Sequence, residues 1–236
     1  MSNLRSIVVS GANQGLGYHT VHQLASTPNV LVFLGSRKLV AGKEAIEKFS
    51  AGIHPGSVVL PIQLDITDAN SISTARDVIA QELKKRNLAG LDVLINNAGI
   101  LTPNFEEVYA VNVFGTVNLT AALRPLMNKN GSILNISSEL GSLAGHTKRP
   151  VPPQFPAYNS SKAALNQLTL AWAIEEEQKG SGVRVVSICP GYNTTNITGY
   201  AGDLHPSEGC KIIVRTALEQ TGTTGVFFKA SGPIEW

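Results

Sequence analysis

Residues 6–17 read SIVVSGANQGLG, and no other stretch says more about the fold. A short apolar run, Ser6–Ser10, leads directly into glycines at positions 11, 15 and 17, and a helical pattern follows at Leu16–Ser26. Glycines between a strand and a helix allow a tight turn, and they let the helix N-terminus approach a pyrophosphate. A structural turn can also carry three glycines, but this placement favours the phosphate-binding interpretation.

The rest of the chain repeats the alternation of strand and helix patterns. Six more short apolar runs predict strands of a covered parallel sheet: Val30–Gly35, Ser57–Leu64, Leu91–Asn96, Gly131–Ser137, Val183–Cys189 and Gly225–Phe228. Helical patterns lie between them at Val40–Phe49, Ala69–Arg86, Phe105–Met127, Ala157–Lys179 and Pro206–Glu219, and Asp68 is a predicted N-cap. The alternation predicts an α/β protein: a single Rossmann-like, doubly wound domain over residues 1–236, with about seven parallel strands flanked by helices.

Length, charge and cysteine count exclude several classes of protein. The 236 residues suit one α/β domain, in which about 1–135 would form the cofactor half and about 136–236 the catalytic and substrate part. With 19 Lys and Arg against 17 Asp and Glu, the net charge of +2 is too small for a nucleic-acid or membrane-surface field. The two cysteines form no metal-binding pair, and no apolar run is long enough to span a membrane. We therefore expect a cytoplasmic protein with no metal and no nucleic-acid or membrane partner.

The end of the second predicted strand carries a signal for the type of nucleotide. An acidic side chain there would bind the adenosine ribose and repel a 2′-phosphate. Ser36 holds this place and Arg37 follows it, and a guanidinium makes charge-assisted bonds to phosphate. The pattern favours NADPH, although a solvated arginine at a helix start would give the same pattern. Asp65, after the third strand, is a candidate acceptor from the adenine amino group or a cap of the next helix.

Three polar stretches should lie at the carboxyl edge of the sheet, where open α/β sheets bind their ligands. They are Asn96–Gly99, Ser137–Ser138 and Tyr158–Lys162. Tyr158 and Lys162 are one helical turn apart and share a helix face. A nearby ammonium favours the phenolate, so we expect Lys162 to lower the pKa of Tyr158 towards working pH.

Together these residues resemble the short-chain dehydrogenase/reductase family along nearly the whole chain, and more specifically its NADPH-dependent carbonyl reductases. The matching elements occur in the family's order: Gly11, Gly15 and Gly17, Asp65, Asn96–Gly99, Asn112, Ser138, Tyr158 with Lys162, and Pro190–Gly191 followed by Thr195. The resemblance implies a reversible hydride transfer with NADP(H) between a carbonyl and an alcohol. A catalytically silent NADP(H)-binding sensor of the same fold is the alternative.

The resemblance also implies a role for each matching residue. Tyr158 would be the general acid and base, Ser138 would hydrogen-bond the substrate oxygen, and Lys162 would hold the nicotinamide ribose. Asn112 would hold a water that links Lys162 to solvent. The implied cofactor contacts are Gly11, Asn13, Gln14, Gly15, Leu16, Gly17, Ser36, Arg37, Asp65, Asn97, Ala98, Gly99, Tyr158, Lys162, Pro190, Gly191 and Thr195.

Two departures from compact relatives concern the substrate. Twenty positions separate Ser138 from Tyr158, and the proline-rich interval should form one wall of the substrate pocket. We interpret Lys148–Arg149 in this interval as a solvated loop, and contact with an acidic or phenolate substrate is the alternative. The segment Asn196–His205 is short for a lid over the substrate pocket. A short lid favours an open pocket that admits sizeable or aromatic ketones. Relatives commonly pair long helices across subunits, so we expect a homodimer or homotetramer, in keeping with a charged fraction of only 15%.

Overall fold

The computed structural model describes residues 4–148 and 154–236. Within this part of the chain one sheet contains eight strands: β1 Arg5–Val9, β2 Val30–Ser36, β3 Val58–Gln63, β4 Leu91–Asn96, β5 Met127–Ile136, β6 Arg184–Ile188, β7 Val226–Lys229 and β8 Gly232–Pro233. Their order is β3-β2-β1-β4-β5-β6-β7-β8. Strands β1 to β7 pair in parallel, and β8 pairs antiparallel with β7. The prediction of about seven parallel strands is confirmed, and a short antiparallel edge strand is added to it.

Helices cover both faces of the sheet. They are α1 Gly15–Ala25, α2 Leu39–Glu47, α3 Ala69–Lys85, α4 Phe105–Tyr109, α5 Thr116–Leu123, α6 Leu143–Thr147, α7 Pro156–Gln178, α8 Pro206–Gly209 and α9 Lys211–Leu218. Asp68 caps α3 as predicted, because its carboxylate accepts a hydrogen bond from the Asn70 N–H at 2.9 Å.

The core has two layers because side chains alternate across each strand. In β1, Ile7 and Val9 pack on the face covered by α1 and α9, whereas Val8 packs on the face covered by α3, α5 and α7. All three side chains are fully buried. A central strand that is apolar on both faces is thereby explained, since neither face meets water.

Strand order reverses between β1 and β4, which are neighbours although β2 and β3 intervene in sequence. At such a switch point the loops that leave the two strands diverge to opposite sides of the sheet and open a crevice. Here those loops begin at Ser10 and at Asn97. The fold thus places the glycine-rich stretch directly beside the Asn96–Gly99 stretch.

The single long helix predicted over Phe105–Met127 is wrong in its interior and at its end. A π-helical segment, Ala110–Gly115, separates α4 from α5, and a 3₁₀ turn, Arg124–Leu126, ends the helical run. Gly115 lies so close to Ile66 that an added Cβ would approach the Ile66 carbonyl oxygen to 2.8 Å. Pro125 accounts for the early end, because proline cannot donate a helical hydrogen bond.

The described residues between Ser138 and Tyr158 form only short helical segments before α7 begins at Pro156. Glu139–Gly141 forms a 3₁₀ turn and α6 is a single short helix. Pro150, Pro152 and Pro153 lie outside the described residues. The functional division of the chain near residue 135 stays a prediction.

Candidate active site

The glycine loop at the end of β1 is packed against the loop that leaves β4. Gly11 has φ +62°, and a Cβ at this position would lie 2.9 Å from the Ala98 Cα. At Gly17 an added Cβ would lie 2.5 Å from the Asn97 Nδ2 and 2.6 Å from the Gly11 carbonyl oxygen. Both positions therefore require glycine for close backbone approach, and the φ of Gly11 also favours it.

Hydrogen bonds from two side chains hold this contact together. The Ser10 hydroxyl oxygen accepts from the Asn97 N–H at 3.0 Å and from the Ala98 N–H at 3.1 Å. The Asn97 amide donates to the carbonyl oxygens of Ser10 and Gly11 at 2.9 and 3.0 Å. Asn97 thus positions the glycine loop, in addition to lining the crevice. Its neighbour Asn96 points into the core, where it donates to Thr120 and Asn135.

The crevice is a cleft of about 460 Å³ that runs from Arg37 and Asp65 at one end to Tyr158 and Lys162 at the other. It brings together nearly all the predicted cofactor contacts: Gly11, Asn13, Gln14, Gly15, Leu16, Gly17, Arg37, Asp65, Asn97, Ala98, Gly99, Tyr158, Lys162, Pro190, Gly191 and Thr195. The N-terminus of α1 opens into it, and Gln14 caps that helix without a side-chain hydrogen bond. A helix end whose backbone N–H groups face a cleft is suited to bind phosphate.

Ser36 is the exception among those predicted contacts. It is 1% exposed and its hydroxyl donates to the Lys38 carbonyl oxygen at 3.0 Å. Ser36 does not line the cleft, and its hydroxyl stabilises the turn that presents Arg37, so a contact of Ser36 with the cofactor stays a prediction. A residue at the last position of a covered strand is buried by the neighbouring strands, which the sequence pattern alone did not reveal.

Arg37 and Asp65 face each other at the adenosine end of the cleft. Burial raises the pKa of Asp65, but its hydrogen bonds with Thr67 and the charge of Arg37 outweigh that effect and hold the pKa below its usual value. The Asp65 carboxylate accepts from the Thr67 N–H at 2.9 Å and from the Thr67 hydroxyl at 2.7 Å. Arg37 itself is exposed, with its charge free to meet an anionic group in the cleft.

Ser138, Tyr158 and Lys162 meet at the other end. The Lys162 ammonium lies 5.5 Å from the centroid of the Tyr158 ring and donates to the Ile136 carbonyl oxygen at 2.8 Å. Lys162 is only 5% exposed. A hydrogen bond with Ser138 favours the ionised form of Tyr158. The strand end, the turn after it and the first turn of α7 thus converge on one point.

Burial controls the titration of this cluster. It raises the pKa of Tyr158 to about 12; the nearby Cys189 acts in the same direction, and the Ser138 hydrogen bond opposes both. Burial also lowers the pKa of Lys162 to about 8. This structure does not show the lowering of the Tyr158 pKa that we expected from Lys162, because burial of the hydroxyl dominates its titration. The phenol keeps its proton at neutral pH, as a proton donor must.

Asn112 is buried within the π-helical segment, one layer behind the cleft surface. Its amide oxygen accepts from the Ile100 N–H at 2.9 Å, and its amide nitrogen donates to the Ile100 carbonyl oxygen and the Ser161 hydroxyl, each at 3.0 Å. The side chain thus joins the loop after β4 to α7. The water that we expect Asn112 to hold stays a prediction.

A residue that the sequence analysis missed is Asn166, which fixes the turn after Ser138. Its amide oxygen accepts from the Ser137 hydroxyl at 2.7 Å, and its amide nitrogen donates to the Gly141 carbonyl oxygen at 3.2 Å. Asn166 is 3% exposed. A polar residue one turn beyond Lys162 on the same helix face was the available signal.

Three residues of the predicted lid, Asn196, Ile197 and Thr198, also line the cleft, although they were not among the predicted cofactor contacts. Thr195 caps a 3₁₀ turn, Asn196–Thr198, and an added Cβ on Gly15 would lie 3.5 Å from the Thr195 Cγ2. The lid therefore reaches back over the glycine loop. The lid residues that line the cleft lie near the glycine loop and not at a substrate pocket. The expectation of an open substrate pocket therefore stays a prediction.

Lys148 and Arg149 are the two basic residues for which contact with an acidic or phenolate substrate is the alternative to a solvated loop. The Lys148 ammonium forms an ion pair with the Glu235 carboxylate, so it is already partnered by the protein. Arg149 lies outside the described residues. A contact of either residue with a substrate stays a prediction.

Neither a membrane span nor a metal cluster is found in the described chain. Among residues 4–148 and 154–236, no helix is long and apolar enough to cross a bilayer. The same residues contain no group of three or more His, Cys, Asp or Glu side chains that could hold a metal ion. Cys189 and Cys210 are both free thiols, and both are buried.

The fold and the cleft define a dinucleotide-binding protein with a serine–tyrosine–lysine cluster at one end of its site. The profile of the short chain dehydrogenase family matches residues 5–204. The chain therefore belongs to the short-chain dehydrogenase family, and the resemblance predicted from the sequence is confirmed.

Individual relatives agree with this assignment. The chain is 31% identical to the short-chain dehydrogenase anuI of Penicillium roqueforti, with 90% of this chain and 88% of that protein covered. It is 28% identical to carbonyl reductase (NADPH) 1 of Macaca fascicularis, over 100% and 99% of the two chains. The crystal structure of NADPH-bound carbonyl reductase from chicken fatty liver superposes with a TM-score of 0.81 at 28% identity, covering 99% and 100%.

Proposed function

We propose that this protein is an NADPH-dependent reductase that converts a ketone or aldehyde to an alcohol, with Tyr158 as the proton donor. The observation that carries the proposal is the cluster of Ser138, Tyr158 and Lys162 in the same cleft as the glycine loop. Proteins named carbonyl reductase (NADPH) 1, and an NADPH-bound carbonyl reductase of known structure, match this chain over 97% to 100% of its length.

The cleft fits a dinucleotide phosphate at its glycine end and a 2′-phosphate at its arginine end. Close packing at Gly11 and Gly17 leaves the backbone of the loop free of side chains, and no acidic residue lies in the first turn of α1. Arg37 would bind the 2′-phosphate, and Asp65 would accept from the adenine. NADPH, when bound, supplies the hydride for the carbonyl carbon.

This chain's own residues would provide the remaining steps. The Tyr158 hydroxyl would donate its proton to the substrate oxygen, and the Ser138 hydroxyl would donate a hydrogen bond to the same oxygen and stabilise its developing charge. The Lys162 ammonium, held by the Ile136 carbonyl oxygen, would hold the nicotinamide ribose and favour the phenolate that remains. Asn112 would keep the loop after β4 in register with α7.

The direct test of this function is the oxidation of NADPH, followed by absorbance, with a panel of aliphatic and aromatic ketones and aldehydes. We expect turnover with at least one carbonyl and recovery of the corresponding alcohol. NADPH binding without turnover of any member would favour the alternative, a silent sensor. No observation in the cleft favours that alternative, since a sensor does not need a proton donor.

The pH dependence follows from the buried lysine. Reduction needs the protonated phenol, which is retained below about 12, and the ammonium of Lys162, which is lost as pH rises through about 8. We therefore expect kcat/KM for NADPH to be level below pH 8 and to fall about tenfold for each pH unit above it. In Lys162→Arg, whose guanidinium does not titrate in this range, that alkaline fall should vanish. A wild-type profile that stays level up to pH 10 would contradict the lowered pKa of Lys162, because an unperturbed lysine (pKa ~10.4) would still be charged there.

Assembly and location are also proposals. We infer a homodimer or homotetramer in the cytoplasm. Phe114, on the segment that carries Asn112, and Ile174, on the helix that carries Tyr158, are 60% and 52% exposed, and Phe105 on α4 is 52% exposed. Exposed large apolar side chains that lie together are typical of subunit contacts, and Phe105 and Phe114 both contact the Tyr109 ring. The two free thiols suit a reducing compartment. Light scattering that finds a monomer, or fractionation that finds the protein outside the cytoplasm, would contradict these inferences.

A further inference from the structure

The turn that carries Ser138 is tied to the last residues of the chain. The Ser142 hydroxyl donates to the Glu235 carbonyl oxygen at 2.6 Å, and the Ala144 N–H donates to a main-chain oxygen of Trp236 at 2.9 Å. The Lys148 ammonium pairs with the Glu235 carboxylate. Each of these bonds joins the segment after Ser138 to the segment after β8.

The C-terminal segment is itself anchored to the sheet. The Trp236 ring stacks on Phe227 of β7, with centroids 5.5 Å apart and planes 27° from parallel. Phe227 is 2% exposed, and the Ile234 N–H donates to its carbonyl oxygen at 2.8 Å. A large aromatic ring therefore fixes the end of the segment to a buried side chain of β7.

The other side of the same turn contacts the catalytic helix. An added Cβ at Gly141 would lie 2.7 Å from the backbone carbon of Lys162, and the Gly141 carbonyl oxygen accepts from Asn166. Lys229 of β7 also holds the start of this turn, because its ammonium donates to the Glu139 carboxylate at 2.8 Å. A shift of this turn would therefore change the position of the Ser138 hydroxyl relative to Tyr158.

We propose that Glu235 and Trp236 are positioning residues for the reduction. They hold residues 139–148, the segment that directly follows Ser138, against the catalytic helix α7, and so they fix the position of Ser138. They do not line the cleft, so they act through the turn and not on the reacting atoms. The inference rests on the proposed function, because it concerns the rate of that reaction. By this proposal Trp236 affects the rate of the reaction, although it is distant in sequence from the Ser138–Tyr158–Lys162 cluster.

Kinetics of point variants test the proposal in the full-length protein. In Trp236→Ala we expect kcat to fall about tenfold or more, because small misplacement of a catalytic group is costly. The dissociation constant for NADPH should stay within about twofold, since the glycine loop and Arg37 are untouched. Trp236→Phe, which keeps a ring to stack on Phe227, should restore most of the rate, and Glu235→Gln should give a smaller loss.

A matched control separates the tie from a general loss of surface charge. Glu208 pairs with Lys211 at 2.6 Å, and these side chains are 52% and 61% exposed, close to the 66% and 62% of Glu235 and Lys148. Glu208→Gln should leave kcat within about twofold of the wild type. An unchanged kcat in Trp236→Ala, or a fall matched by an equal loss of NADPH affinity, would overturn the proposal.

Amide hydrogen exchange gives a readout that does not depend on turnover. The peptide spanning residues 139–148 should exchange faster in Trp236→Ala, whereas β1 and the glycine loop should not change. A lower kcat without faster exchange in this peptide would also overturn the proposal, because the turn would then be held by other contacts. If the wild type reduces no carbonyl, the proposed function fails, and exchange alone still decides whether Trp236 holds the turn.

Discussion

We expect Tyr158→Phe to lower kcat for carbonyl reduction by about a thousandfold, while NADPH binding stays within about twofold of the wild type. The reason is chemical: the substitution removes only the hydroxyl, and with it the proton that the substrate oxygen needs. Because burial raises the pKa of Tyr158 to about 12, the hydroxyl is protonated throughout the working range. Steady-state kinetics with NADPH, together with a fluorescence titration of the cofactor, measure the two effects separately.

Tyr18→Phe is the matched control for this variant. Tyr18 follows the glycine loop, and its ring packs edge-on against Phe49 with centroids 5.5 Å apart, a contact that the phenylalanine ring retains. Its kcat should stay close to the wild type. Near-normal turnover in Tyr158→Phe would remove Tyr158 as the proton donor, and a parallel loss of NADPH affinity would show that its role lies in binding.

Arg37→Asp should reverse the cofactor preference. Each charge-assisted hydrogen bond to a phosphate is worth about 1.5–3 kcal/mol, and the new carboxylate repels the 2′-phosphate and can accept from the ribose hydroxyls of NADH. We expect the ratio of kcat/KM for NADPH to that for NADH to fall by about a hundredfold or more. Initial rates with each cofactor at one fixed carbonyl concentration provide the ratio.

Lys43→Asp makes the same change in charge on the exposed side of α2, away from the cleft. If the preference depends on a direct contact, this control leaves the ratio nearly unchanged. An equal shift in both variants would assign the effect to the overall field of the protein, and no shift in Arg37→Asp would remove the phosphate contact.

Most of the fold follows from local sequence patterns, because short runs that are apolar on both faces can only be covered strands. The predicted bounds of β4 agree with the structure at both ends, and those of α3 agree to within a residue. The π-helical segment around Asn112 was not predicted, since a helical pattern of apolar residues does not distinguish the two kinds of helix. The stacking of Trp236 on Phe227 was not predicted either, because it depends on how the chain turns back after the edge strand β8.

Residue types at fixed spacings were enough to predict the family and the sheet, and to name many of the residues that line the cleft. Only the tertiary structure showed whether each polar side chain points into the cleft or into the core. Folding buried Ser36 and Asn96, assigned Asn97 to the glycine loop, and gave Lys148 a partner in Glu235. It also reversed the expected shift in the pKa of Tyr158, because desolvation depends on every atom packed around the hydroxyl, and most of those atoms are distant in sequence.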